Sequence, residues 1–331
     1  MFSGTNVVTL YAAFFEMRGL LTSLILCVLS VGPLWAQPTH FTTGDYYKHQ
    51  AKEIYFGVGA TNMLSDLGGL NKQGTDYAPI DLEWLMTRYA FHVGYRKRFR
   101  PLWCTKTIIQ YGLFQGDDAL TAEPYRNYRN IRVKTHLVEV AQHLEWIIWS
   151  NEHFGKRYNI QGLKGMRNKN NLLYVIGGVS GFLYFPQAVG GPFLRGLRTE
   201  GQGLPGAPKP YSFVSLGIPM GIGYKIGIDA LWRITFEFIF TKTFTDYFED
   251  VSGTYYDNAA IYDAYGATSA FYADPSSGAN PHWTYHGEYR GHSKTKDSYM
   301  MLNFSVTRNI TIKRSKRIKW RYRSKAPKAR W

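Results

Sequence analysis

Cysteine is nearly missing from this chain: Cys27 and Cys104 are the only two in 331 residues. A disulfide-stapled scaffold is therefore excluded. Charge is also scarce, at 19% of residues, where about a quarter is usual in soluble domains. Long apolar runs are missing too, and the most apolar stretch, Leu20 to Val31, falls short of the roughly 20 residues a membrane-spanning helix needs. The chain is rich instead in aromatics, with 25 Tyr, 20 Phe and 9 Trp beside 33 Gly. That many buriable rings exclude a disordered chain.

The formal net charge of +15 points toward nucleic acid until its location is read. Ten of the positive charges lie between Lys313 and Arg330, a stretch without a single acid, which leaves +5 for everything else. The basic character belongs to a tail. At the other end, Arg18, the short apolar run and the Leu34-Trp35-Ala36 stretch have the order of a secretory signal peptide, with cleavage expected after Ala36. Met17, directly before Arg18, offers an alternative start. Export makes nucleic acid an unexpected partner. It also leaves Cys104 as the sole thiol of the mature chain, so no intramolecular disulfide is expected.

The mature chain is organised by alternation of period two, the mark of strands. Trp232, Ile234, Phe236, Phe238 and Phe240 share one face, against Arg233, Thr235, Glu237, Ile239 and Thr241. Met300, Leu302, Phe304 and Val306 oppose Tyr299, Met301, Asn303, Ser305 and Thr307. The same pattern runs through 214–224, 53–60 and 88–96, with weaker candidates at 103–115, 130–147 and 171–185, where both faces carry apolar residues. About eight strands are predicted, an even count of the kind outer-membrane barrels use.

The expected fold is all-β: a closed antiparallel transmembrane β-barrel. Residues 1–36 are the signal peptide, 37–310 the barrel and 311–331 a basic periplasmic tail. With residue 51 on the periplasmic side, links 96–102, 148–170 and 225–230 fall there. The mostly longer links 61–87, 116–129, 186–210 and 244–296 fall outside, the usual asymmetry of such barrels. Tyr95, Trp103, Trp146, Tyr224 and Trp232 suit an aromatic girdle. A soluble β-sandwich also alternates. Apolar faces unbroken by charge, opposite faces mixing both signs with glycine, and the aromatic load favour the barrel. In so narrow a lumen, Arg88, His92, Glu139, Glu145, Arg233 and Glu237 are expected to pair as an internal ion network.

Few patterns point to chemistry. Gly217, Gly221, Gly223 and Gly227 lack the spacing and following helix of a phosphate loop and read as small lumen-facing residues. His282, His286 and His292 share a long loop, and Asp246, Glu249, Asp250 and Asp257 cluster in sequence, but neither set has the spacing of a known metal or calcium site. No metal or other cofactor and no small-molecule substrate is expected. No Ser–His or acid signature singles out a catalytic centre. Two basic elements share the expected periplasmic face: Lys156, Arg157, Lys164, Arg167 and Lys169 in the long turn, and Lys313, Arg314, Lys316, Arg317, Lys319, Trp320, Arg321 and Tyr322 in the tail. A charge run is commonly a solvated extension. The interleaved aromatics suit docking onto an acidic periplasmic partner or anionic lipid.

Four strings resemble signatures of the PorG family of outer-membrane barrels: Lys242 to Asn258 (KTFTDYFEDVSGTYYDN), Thr199 to Gly203 (TEGQG), Gly59 to Gly69 (GATNMLSDLGG) and His136 to Glu145 (HLVEVAQHLE). The resemblance runs from about residue 51 to 310. It implies a non-enzymatic component of the type IX secretion system, one that ties the periplasmic ring of PorK and PorN type proteins to the outer membrane and in some bacteria supports gliding. Beside that stand an OmpA-like barrel for envelope stability or adhesion, and a lipid-modifying enzyme barrel.

Overall fold

The computed structural model describes residues 51–67, 84–121, 123–151, 171–228, 231–293 and 295–310. Its strands are β1 (Lys52–Leu64), β2 (Arg88–Arg98), β3 (Trp103–Asp117), β4 (Arg132–Asn151), β5 (Asn171–Ala188), β6 (Val214–Gly227), β7 (Trp232–Thr243) and β8 (Ser298–Asn309). Each pairs antiparallel with its sequence neighbours, and β1 closes on β8 from Glu53↔Asn309 to Leu64↔Ser298. Closure leaves no unpaired sheet edge, the condition a β-structure must meet in lipid.

Alternation sets the two faces. Phe56, Val58, Phe91, Val93, Ile109, Val140, Val179, Leu216, Met220 and Leu302 point outward and are exposed, while the residues between them fill the bore. Isolated exposed apolar side chains are ordinary, but a continuous apolar belt around a closed sheet is not. At one end of the barrel, here the near end because β1 begins there, Tyr95, Trp103, Trp146, Tyr224 and Trp232 lie together as expected, with Trp103 and Trp146 stacked 6.2 Å apart. Polar side chains on the outer face of β3 and β4 satisfy one another: Thr107 donates to Gln142 at 2.7 Å, and Gln142 donates to Thr105.

Glycine makes room for the largest inward rings. Gly94 stands directly opposite Tyr55, and Gly223 directly opposite Tyr174. A Cβ on either glycine would overlap the facing tyrosine. These glycines set how closely the rings can lie against the wall of the bore.

The connections are unequal. Near-end links are 99–102, 152–170 and 228–231; far-end links are 65–87, 118–131, 189–213 and 244–297. Strand ends depart from expectation at β5, which runs through Pro186 to Ala188. The β5–β6 ladder ends at Leu183↔Val214, so Pro186 lies where no β6 partner waits for an amide hydrogen.

The far-end links fold into a cap. It contains helices α1 (Pro124–Arg129), α2 (Asn258–Tyr265) and α3 (Ala267–Ala273). Glu123 caps α1 by accepting from the Arg126 amide at 2.7 Å, and Asp257 caps α2 through Ala259 at 3.1 Å. Phe248 reaches into the barrel mouth, its ring 5.2 Å from Phe114 and 5.6 Å from Tyr299.

Candidate functional site

The bore is built in layers. Nearest the first residues of β1, Glu53 accepts from Lys225 at 2.6 Å and Arg96 at 3.0 Å, with Arg233 at 3.2 Å. Arg96 also binds Glu145 and reaches the Cys104 sulfur at 2.9 Å. One layer up, Glu237 accepts from Lys106 and from the Tyr174 hydroxyl, each at 2.6 Å. Lys106 lies 5.0 Å over the Tyr55 ring, and Arg96 lies 5.6 Å over Tyr174. His92 and Ser305 meet at 2.7 Å, and above them Gln110 donates to Glu139. Phe114, Phe182, Phe248 and Tyr299 close the far mouth.

Between Tyr55, Arg96, Lys106, Tyr174 and Glu237 the void is only about 10 Å³. That is near the minimum for a single water, roughly 10–15 Å³. The bore is a filled core, too narrow at this layer for a solute.

Of the six residues expected to share the internal network, Glu145, Arg233 and Glu237 hold ion-pair partners. Three take other roles. His92 meets Ser305 rather than an acid. Arg88 is at the far rim, where it donates to Gln115 at 2.8 Å and to the Leu85 and Thr87 carbonyls, because β2 begins there. Glu139 is in a higher layer with Gln110 and no cation. Glu53, Arg96, Lys106 and Lys225, which complete the network, were legible only as inward positions of their strands. On β3 the signal was blurred because Ile108 and Ile109 make both faces apolar.

The cap holds a second buried polar cluster. Glu200 accepts from the backbone of Ser252 at 2.9 Å and Gly253 at 3.2 Å, and from Arg290 at 3.1 Å. Arg290 also donates to the Asp250 carbonyl at 2.6 Å, while Asp250 takes the hydroxyls of Thr199 and Tyr211. Arg129 joins the loops: it pairs with Asp118 at 2.7 Å and donates to the carbonyls of Asp66 and Arg290. Asp66 in turn accepts from the His292 amide at 2.6 Å. Burial pushes several of these acids upward, Asp246 and Asp250 each to about 6. Glu249, with neither carboxylate oxygen hydrogen-bonded, and Asp297 go well above the usual carboxylate range, because burial is compounded by neighbouring acids.

Three of the strings that carry the PorG resemblance meet here. Thr199–Glu200, the 246–253 segment and Asp66 all belong to this one cluster. The acids weighed as a calcium set disperse: Asp246 takes the Ser252 hydroxyl, Asp250 faces Tyr211, and Asp257 caps α2. His286 packs on Tyr256 and His282 on Trp283. Among the described residues no three ligating side chains converge. Lys156, Arg157, Lys164, Arg167, Lys313, Arg314, Lys316, Arg317, Lys319, Trp320 and Arg321 lie outside the described residues, as do Lys169, Tyr322 and the expected signal peptide.

No protein-family model and no curated protein matches the chain. Solved structures with some likeness include Ail, the attachment invasion locus protein of Yersinia pestis, in complex with the heparin analogue sucrose octasulfate. It is 8% identical with a TM-score of 0.33, over 78% of this chain and 98% of that chain. Neisserial surface protein A is 6% identical with a TM-score of 0.31, over 78% and 95%. At such scores neither likeness bears on how this chain works.

Proposed function

We propose that this chain is an integral outer-membrane barrel that works through its surfaces rather than by conduction or catalysis, and that its working surface is the ordered cap. The carrying observation is the filled bore beneath a cap whose shape is fixed by buried ion pairs. Two of the three near-end links are short, 152–170 being the exception, and the far-end links are mostly longer, which supports a far end that faces outward. The apolar belt would sit in lipid, and the role would be envelope stability or adhesion.

The test is protease treatment of intact cells beside cells with opened envelopes. Cleavage confined to cap segments in intact cells supports an outward cap. Protection of the cap in intact cells, with cleavage only after opening, overturns it. A chain with Glu200→Ala, in which the cap loses its central acceptor, should then weaken detergent resistance of the envelope or cell attachment.

A second reading is the type IX anchor for a PorK and PorN type ring. It is supported by the convergence of the PorG-like strings on one cluster, which ties that resemblance to a built feature. The partner surface would then be the basic turn and tail at the near end. Affinity capture from gently solubilised membranes, with the full chain and with a chain ending at residue 312, tests it. Ring proteins captured by the full chain and lost on truncation support tail docking. Capture that survives truncation removes the tail, and absence of ring proteins from both leaves the envelope reading.

A further inference from the structure

Beside the buried cluster, the cap has an open cleft of about 480 Å³ between α1 and the 281–293 segment. That lies within the roughly 300–1,000 Å³ of ordinary ligand sites. Its walls are aromatic. The Tyr125 and Trp283 rings are 4.5 Å apart and tilted by 40°, and Tyr128 meets Trp283 edge-on at 5.3 Å. The frame is braced: Tyr128 accepts from the Asn280 amide at 2.8 Å, and Tyr255 is hydrogen-bonded through its backbone to Glu288 at 2.8 Å and Gly287 at 2.9 Å.

Among the rings the lining also carries polar side chains: Glu123, Thr284, His292 and Ser293 border the cleft beside Arg126, Arg129 and Arg290. Polar side chains set among aromatic faces suit a ligand that itself carries both apolar faces and polar atoms.

We propose that this cleft binds a sugar ring of a carbohydrate chain. The inference rests on the cap being the working surface. A purely apolar ligand would strip water from the polar side chains of the lining without replacing it. A cation would meet Arg126, Arg129 and Arg290 around the same cleft. A flat aromatic ligand needs a parallel slot, and the 40° and 87° ring angles do not make one. A pyranose has what the site asks for: C–H faces that pack on the electron-rich ring faces, and rim hydroxyls that both donate and accept. Tyr125 and Tyr289, 55% and 82% exposed, leave the entrance open to a chain that continues into solvent.

The experiment uses the full chain in lauryldimethylamine oxide, since sugar detergents would compete. Binding is read on an array of oligosaccharides ending in glucose, galactose, mannose or N-acetylglucosamine. The best binder is then titrated by isothermal calorimetry. Trp283→Ala should weaken binding at least about tenfold, and Tyr125→Ala, which removes the facing ring, about fivefold. Tyr262→Ala, elsewhere on the cap, should leave it unchanged. Each variant must first show the wild-type folded band on an unheated gel, and Tyr125→Ala is the fallback should Trp283→Ala not fold. No saccharide bound, or binding indifferent to both cleft variants, overturns the proposal. Cap exposure on intact cells is read separately, so a failed sugar site and a failed surface reading are distinguishable.

Discussion

Glu53 on β1 and Lys225 on β6 meet at 2.6 Å across the bore, and Glu53 also holds Arg96 and Arg233. One carboxylate thus serves three cations from three strands. Removal of one member of a buried ion pair is typically destabilising by about 3–5 kcal/mol, because the remaining charge stays buried. Glu53→Ala is expected to lie in that range in urea unfolding from lipid, with Glu53→Gln recovering part of the loss through its amide oxygen. An unchanged midpoint for Glu53→Ala would mean that Glu145 suffices for the near-end layer.

The glycine–tyrosine pairs predict a contrast. Gly223→Ala places a methyl against the Tyr174 ring and should destabilise by about 1–3 kcal/mol. Gly177→Ala, which meets nothing within 4 Å, should be neutral within about 0.5 kcal/mol or slightly stabilising. Equal effects at both sites would refute steric complementarity as the reason for Gly223.

A bore whose void at the Tyr55–Glu237 layer is about 10 Å³ should not conduct. Reconstituted into planar bilayers, the folded protein is expected to leave conductance at the protein-free baseline. Discrete open steps that disappear on heating the protein would contradict a filled core.

The cap should respond to pH. Asp246 and Asp250 titrate near 6 in the fold against an ordinary 3.8, so ionising them disfavours the folded cap. Their contribution is fully present below about pH 4 and is lost as pH rises through about 6; Glu249 and Asp297 extend the loss higher. Amide exchange over 244–297 should therefore be slower at pH 5 than at pH 8 after correction for intrinsic rates, with β1–β8 unaffected. The reverse order would show that these acids are not buried as described.

The barrel was legible because β1, β2, β6, β7 and β8 keep strict alternation, and the narrowness of the bore followed from the strand count. Strand order and closure came with it. The ion network was only half legible: Glu237 and Arg233 stood out among Thr and Phe, whereas Lys106 and Lys225 are inward only by parity in strands rich in apolar residues. The cap was not legible at all. Its contacts join Asp66, Arg129, Glu200 and Arg290, residues far apart in the chain with no periodic signal, and the aromatic cleft depends on how α1 meets the 281–293 segment. Loop chemistry at long sequence separation leaves no local pattern to read.

Pairing of β1 with β8 has a temporal consequence. The first strand waits, through synthesis of the whole barrel, for a partner that arrives last. Until then β1 and β7 each carry a row of unpaired amides and carbonyls, a template for joining other chains. Such distant pairing also slows folding, since the loop must close before any contact rewards it. Association with other chains would therefore begin at these two provisional edges, and a copy stopped short of Ser298 would be an aggregation seed rather than a shorter barrel.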